Sequence, residues 1–176
     1  MQPKRVVVTG LGALTPLGNS VQEYWQGLTN GVSGADFIKQ FDASKFKTRF
    51  ACELKNFDPT QFIDKKEARK MDPFTQTAVI AADHAVQDAK IDRNSVNIDR
   101  VGVIWGTGVG GMINFCHELR DFYQGDGTPR FSPFLIPRLI TDIAAGHISI
   151  RHGFRGPNFS VVSACASATN AIMKGI

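Results

Sequence analysis

The run FSVVSACASATNAI, Phe159 to Ile172, sets one cysteine between an apolar stretch and a string of small residues. Thiolates attack carbonyl carbons, so the question is whether Cys165 is placed to become one. If the apolar stretch is a strand and the small residues open a helix, Cys165 lies at the helix's first turn. Unpaired amide N–H groups face the sulfur there, and the helix dipole favours negative charge. Such surroundings lower a cysteine pKa from about 8.5 to about 3.5–7.5. The same amides can hold the oxyanion formed when sulfur adds to a carbonyl. Ala164, Ala166, Ser167 and Ala168 suit a tight strand–helix elbow with room for a substrate. Against this, a cysteine after a buried strand is commonly a small core hydrophobe. The usual helper of a cysteine nucleophile is a histidine. His84, His117, His147 and His152 all fall in helical stretches or at a helix end, none at a motif spacing from Cys165. On pattern alone the core reading is the stronger one.

Two glycine runs raise a second chemistry. VTGLGALTPLG follows a short apolar run, as a dinucleotide-binding turn would, but Thr15 stands where G-x-G-x-x-G needs its third glycine. No acidic residue ends a second strand about 20 residues on. GTGVGG, Gly106 to Gly111, misses the same spacing. These glycines are better read as permitting tight turns and a close backbone approach to something bound near Cys165. A third feature is IDKKEARKMD, which places Lys65, Lys66, Arg69 and Lys70 on one side of a helix. That is either a solvated face or a docking patch for an acidic partner. No aromatic interleaving or reading motif accompanies it, which argues against nucleic acid.

The elements that must position these residues are legible from periodicity. Val6 to Thr9 reads as a short buried strand. Residues 20–29 read as a helix with Val21, Tyr24, Trp25 and Leu28 on its inner face. From Asn30 to Asp64 the pattern breaks into an irregular excursion. MDPFTQTAVIAADHAVQDAKI predicts the clearest helix, with Asp72 as N-cap and Pro73 at the first helical position. Ala78, Ala81, Ala82, Ala85, Val86 and Ala89 give it a small-residue stripe that lets a neighbour approach closely. RVGVIWGTGVGG predicts a second buried strand entering a glycine loop. PRLITDIAAGHISIRHG predicts one helix opened by Pro137, with Leu139, Ile140, Ile143, Ala144, His147 and Ile150 inward and Gly153 as its stop. NFSVVSA is the third strand, and CASATNAIMKGI the helix after it. Apolar strands alternating with helices predict a mostly parallel α/β sheet. The final helix is short, and nothing after it would cover the sheet's far edge. The expectation is a chain cut short.

Composition bounds the rest. The 176 residues suffice for one domain with a substantial core, and 43% hydrophobic with 20% charged residues is ordinary for a globular protein. No run approaches the roughly 20 apolar residues of a membrane helix, and Val6 to Val8 is too short for a secretory signal. The reading is a cytoplasmic protein without a membrane partner. Three widely spaced cysteines argue for reduced thiols rather than disulfides or zinc. A net charge of +4 permits acidic partners without demanding them.

Taken together, VVVTGLGALTPLG, KKEARKMDPFTQ, GTGVGG and SPFLIPRLITDIAAGHISIRHGFRGPNFSVVSACASATNAI resemble a β-ketoacyl-[acyl-carrier-protein] synthase. The similarity is greatest to the type II elongating enzymes of bacterial fatty acid synthesis. It covers essentially the whole chain, and RGPNFSVVSACASA is its most specific string. The resemblance implies a thiolase-like fold, in which two similar α/β halves form a five-layered αβαβα subunit that dimerises. Residues 1–176 match the N-terminal half. It also implies that Cys165 is the nucleophile taking an acyl group from acyl carrier protein, which reverses the pattern-only preference. Decarboxylative Claisen condensation with malonyl-carrier protein would follow, with no cofactor and no metal. Val109 matches a position where an apolar side chain lines the acyl pocket, and Phe134 falls in the segment that lines the same pocket. Lys65, Lys66, Arg69, Lys70 and Arg130 match basic positions that dock the acidic carrier. The family's catalytic histidines, its lysine and its phenylalanine gate belong to the second half, so these residues alone are expected to condense weakly or not at all. Ser163 stands where related sequences often carry threonine, a change that keeps the hydroxyl. The competing expectations are a carrier-docking module without chemistry and a nucleotide-dependent oxidoreductase.

Overall fold

Asp72 opens the longest helix because its carboxylate accepts the Phe74 amide, while Pro73 takes a position whose N–H would be unpaired anyway. The computed structural model describes residues 5–176. In chain order the elements are α1 (Val21–Thr29), β1 (Asp36–Phe37), β2 (Phe50–Ala51), α2 (Lys65–Ala68), α3 (Pro73–Asp88) and β3 (Val103–Gly106). They continue with α4 (Met112–Gln124), α5 (Leu135–Leu139), α6 (Ile143–His152), β4 (Asn158–Val161) and α7 (Ser167–Gly175). Short 3₁₀ turns occupy Pro59–Gln61, Ile98–Arg100 and Ala164–Ala166.

The predicted parallel pairing forms between β3 and β4, in register from Val103↔Asn158 to Gly106↔Val161. Thr107 carries the ladder one step further by donating to the Val161 carbonyl at 3.2 Å. α6 packs on α3, and α7 packs along β3 and β4. The core lies where these meet: Ile63, Ala68, Met71, Val79, Ile80 and Ile148 are buried together, with Leu14, Val103 and Trp105 against them. Each fully buried Ile or Val contributes about 1.5–3 kcal/mol relative to exposure. The excursion from residue 30 to 64 contains only the small antiparallel β1–β2 pair and one 3₁₀ turn.

The alanine stripe of α3 meets its close neighbour in the segment Gly10–Gly12. A Cβ on Gly12 would lie 1.9 Å from the Ala81 carbonyl oxygen, and one on Gly10 2.4 Å from that of Ala85. Only glycine allows backbone to lie this near a helix.

Three expectations fail. Val6 to Thr9 forms no strand, and Val6, Val7 and Val8 are 51%, 60% and 80% exposed. An apolar run becomes a buried strand only where a neighbour pairs its backbone and a layer covers it, and no described residue does either. Trp25 and Leu28 of α1 point to solvent, and Gly27 is the helix's buried residue, packed on Leu17. The single helix from Pro137 is two. α5 already begins at Leu135, Ile140 is extended (φ −67°, ψ 143°), and α6 restarts at Ile143. Backbone groups at the break are committed elsewhere: the Leu139 carbonyl accepts the Gly111 amide at 3.1 Å, and that of Thr141 accepts the Ser160 hydroxyl at 3.0 Å. The interruption re-aims α6, so Ala144, Ala145 and Ile148 are buried while Ile150 is exposed. Gly153 does end α6, in the left-handed conformation expected of it (φ 69°).

Candidate active site

β4 delivers the chain into a sharp elbow. Ser163 is followed by Ala164 at φ 50°, a left-handed conformation uncommon for a residue with a Cβ. A 3₁₀ turn over Ala164–Ala166 then leads into α7. Cys165 sits in that turn, two residues ahead of α7 rather than in its first turn as predicted. Its thiol is free and exposed, so the core-hydrophobe reading does not hold. The turn's own bonds use the Ala166 and Ser167 amides, which donate to the Ser163 and Ala164 carbonyls. The Cys165 amide is thus the first one outside those bonds.

A set of small polar side chains holds the elbow. Ser167 is 3% exposed; its hydroxyl accepts the Ser163 amide at 2.9 Å and donates to the Ala164 carbonyl at 2.7 Å. Asn170, one turn along α7, donates to the Ser163 hydroxyl at 2.6 Å. The hydroxyl at position 163 therefore has a structural partner, consistent with serine serving where threonine would. Sequence reasoning treated Ser167 only as small and did not single out Asn170; the i+4 and i+7 spacing from Ser163 is the signal that could have found both.

The GTGVGG loop lies against this elbow. A Cβ on Gly106 would stand 2.5 Å from the Ser167 carbonyl oxygen, and one on Gly108 3.7 Å from that of Ala164. Thr107 donates its hydroxyl to the Val109 carbonyl at 2.7 Å, and Val109 itself projects into solvent. On the loop's other side, Cβ atoms on Gly110 and Gly111 would fall 1.8 Å and 2.0 Å from the Leu139 and Arg138 carbonyl oxygens. The close approach predicted for a bound molecule is thus to the chain's own backbone, at α7 and α5. This packing brings the Cys165 elbow, the Val109 loop and the Phe134-bearing segment into one assembly. Phe134 is the N-cap residue of α5, partly exposed, with the Arg138 guanidinium 5.8 Å from its ring centroid.

The basic residues divide. Lys65 and Lys66 are exposed on α2, whose N-terminus is capped by Asp64. α2 closes at Ala68, so Arg69 is its C-cap and Lys70 lies in the following turn, ion-paired with Glu67 at 2.7 Å. Arg130 lies apart in the α4–α5 connection and pairs with Asp126 at 3.0 Å. The histidines lie on α3, α4 and α6, and none belongs to the turn that carries Cys165 or to the elements that flank it. Gly10 and Gly12 rest on the side of α3, and the next helix begins only at Val21, so no strand–turn–helix phosphate cradle forms there.

Residues 3–176 match the family model of the β-ketoacyl synthase N-terminal domain. The chain is 48% identical over 172 residues to 3-oxoacyl-[acyl-carrier-protein] synthase 2 of Synechocystis sp., covering 98% of this chain and 41% of the relative. It is 49% identical over 172 residues to the Staphylococcus aureus protein of that name, covering 97% and 41%. The chain therefore spans about two fifths of the length of the curated relatives it matches. Among solved structures it superposes on the ishigamide ketosynthase/chain length factor with a TM-score of 0.82 at 28% identity, covering 96% of this chain and 44% of that one. A β-ketoacyl synthase from Burkholderia phymatum shares the fold at TM-score 0.80 and 24% identity, covering 98% and 42%. So does a type II polyketide ketosynthase solved with its acyl carrier protein, at 0.79 and 23%, covering 97% and 45%. The exposed cysteine elbow thus stands in a thiolase-like α/β fold, and the chain belongs to the β-ketoacyl synthase family through its N-terminal domain.

Proposed function

We propose that the protein is a condensing enzyme of fatty acid synthesis and that Cys165 is its acyl-accepting nucleophile. The Cys165 sulfur adds to the thioester carbonyl of an acyl group carried by acyl carrier protein. The carrier's thiol leaves, and the acyl chain is held as a cysteine thioester. The Cys165 amide, unused by the turn, is a donor available to the oxyanion of that addition. Malonyl-carrier protein then loses carbon dioxide; the electron pair released attacks the thioester carbonyl, and Cys165 departs with its sulfur restored. The product is longer by two carbons. Val109 and Phe134 line the acyl site, and Lys65, Lys66, Arg69, Lys70 and Arg130 form the surface that receives the acidic carrier. The whole protein works in the cytoplasm as a homodimer. Among the described residues no helix is long and apolar enough to cross a membrane.

The observation that carries the proposal is a free, exposed cysteine on a strand–helix elbow, in a chain of this family. Cys52 and Cys116 are also free and exposed, which makes them internal controls. Incubating the full chain with acyl-carrier protein, followed by peptide mass mapping, is expected to place the acyl group on Cys165 and on neither of the others. Cys165→Ala should abolish the adduct. Equal labelling of all three cysteines, or none, would overturn the assignment.

A further inference from the structure

The end of α2 and the Phe134 segment are tied together by one half-hidden ion pair. Arg138, on α5, is 16% exposed at its side chain, and Glu118, on α4, 19%. The Arg138 guanidinium donates to the backbone carbonyl of Arg69 at the end of α2. Its other terminal nitrogen lies 3.9 Å from one Glu118 oxygen. The second Glu118 oxygen accepts the Ser132 amide at 3.0 Å, and the Ser132 hydroxyl accepts the Phe134 amide at 3.2 Å. Arg138 also stacks its cation against the Phe134 ring, and its own carbonyl abuts Gly111 of the loop that carries Val109. A planar guanidinium can serve several partners in fixed directions at once; an ammonium cannot. The arrangement is not saturated, because Arg138 Nε is buried without a partner and the contact to Glu118 is long. A buried donor without an acceptor costs free energy, so a shift of the neighbours that supplies one to Nε is favoured.

We propose that Arg138, working with Glu118, is a positioning residue that couples carrier docking at α2 to the seating of Phe134 in the acyl site. This rests on the function proposed above. A carrier that engages Arg69 and its neighbours presses on the backbone carbonyl that holds Arg138, and Arg138 transmits the shift to the Phe134 segment. The consequence is specific: an acyl group should be accepted faster from the carrier than from a small thiol, and the advantage should depend on Arg138.

The test uses the full chain and measures acylation of Cys165 by one acyl group offered as acyl-carrier protein or as its N-acetylcysteamine thioester. Arg138→Met is expected to lower the carrier-borne rate about tenfold, a coupling of ordinary size. The small-thioester rate and the affinity for the carrier should both stay within about twofold. Glu118→Gln should reproduce the pattern in milder form, and it decides the matter if Arg138→Met fails to fold. Lys66→Glu should instead weaken carrier affinity. Equal loss with both donors would make Arg138 a purely structural residue and overturn the coupling, as would an undiminished carrier advantage. Wild-type protein that accepts the acyl group from neither donor would overturn the condensing-enzyme reading itself, and the coupling with it.

Discussion

Ser167 shows how one side chain can set the position of a reactive neighbour without touching the reaction. Its buried hydroxyl bridges the backbone on both sides of the left-handed Ala164, which would otherwise tend to relax toward an ordinary conformation. Ser167→Ala leaves the Ser163 amide without its partner in a half-buried turn, while the Ala164 carbonyl keeps only the backbone amide of residue 167, at a cost of about 1–3 kcal/mol. The expected result is a lower urea midpoint together with slower acylation of Cys165, since small displacements of a nucleophile are costly in rate. An unchanged midpoint would mean that the hydroxyl does not hold the elbow. The elbow was readable from FSVVSACASA, because apolar run, cysteine and small residues occur in that order, but that pattern alone favoured a core cysteine and only the family resemblance pointed to a nucleophile. That Ser167 and Asn170 converge on Ser163 depends on the angle at which α7 leaves β4, which no local pattern states.

At the scale of elements, the glycine loop is a joint between β3, α5 and α7. Its glycines are not equivalent. A methyl at Gly110 would meet the Leu139 carbonyl oxygen at 1.8 Å, whereas one at Gly108 would meet that of Ala164 at an ordinary 3.7 Å. Gly110→Ala should therefore push α5 away and lower stability by about 1–3 kcal/mol, as overpacking does. Gly108→Ala should leave stability nearly unchanged. Thermal unfolding of the pair checks this, and equal effects would show that the loop gives way freely. The GTGVGG composition signalled close approach, but its object, the backbone of α5, could not be read. The break at Ile140 was hidden for a related reason. Apolar spacing from Leu139 to Ile150 continues through it, and only the competing bonds from Gly111 and Ser160 interrupt the helix. By contrast α3 formed as read, because its cap, its Pro73 and its alanine stripe are all local signals.

At the scale of the whole molecule, His147 on α6 lies near α2, and its ionisation is tied to the fold. Burial, foremost, holds its imidazolium below the ordinary value of 6.5; the Glu67 carboxylate opposes this and the Lys70 ammonium reinforces it. The unfolded chain therefore binds the proton more readily than the native one. Stability from this group is complete above about pH 6.5 and is lost as the pH falls from there toward the lower native pKa. The melting temperature is expected to drop between about pH 7 and 5, and His147→Gln should flatten that slope. Asp36, Asp42, Asp58 and Asp126 have carboxyls held below their ordinary value by side-chain and backbone hydrogen bonds. They lose their contribution only at pH values around 4 and below, outside the histidine window. An identical slope in His147→Gln would assign the acid sensitivity elsewhere.

Local order in the chain determined the family, the helix with its own cap, the β4–α7 elbow and the cysteine carried on it. Those features rest on contacts between residues near one another in sequence, and such contacts leave a spacing that can be read. Tertiary structure alone decided that Val6 to Val8 stay uncovered, that α5 and α6 separate, and that Arg138 bridges α2, α4 and the Phe134 segment. Each depends on which distant group reaches a backbone carbonyl, amide or apolar face first. That competition is settled by three-dimensional packing and leaves no periodic trace in the sequence.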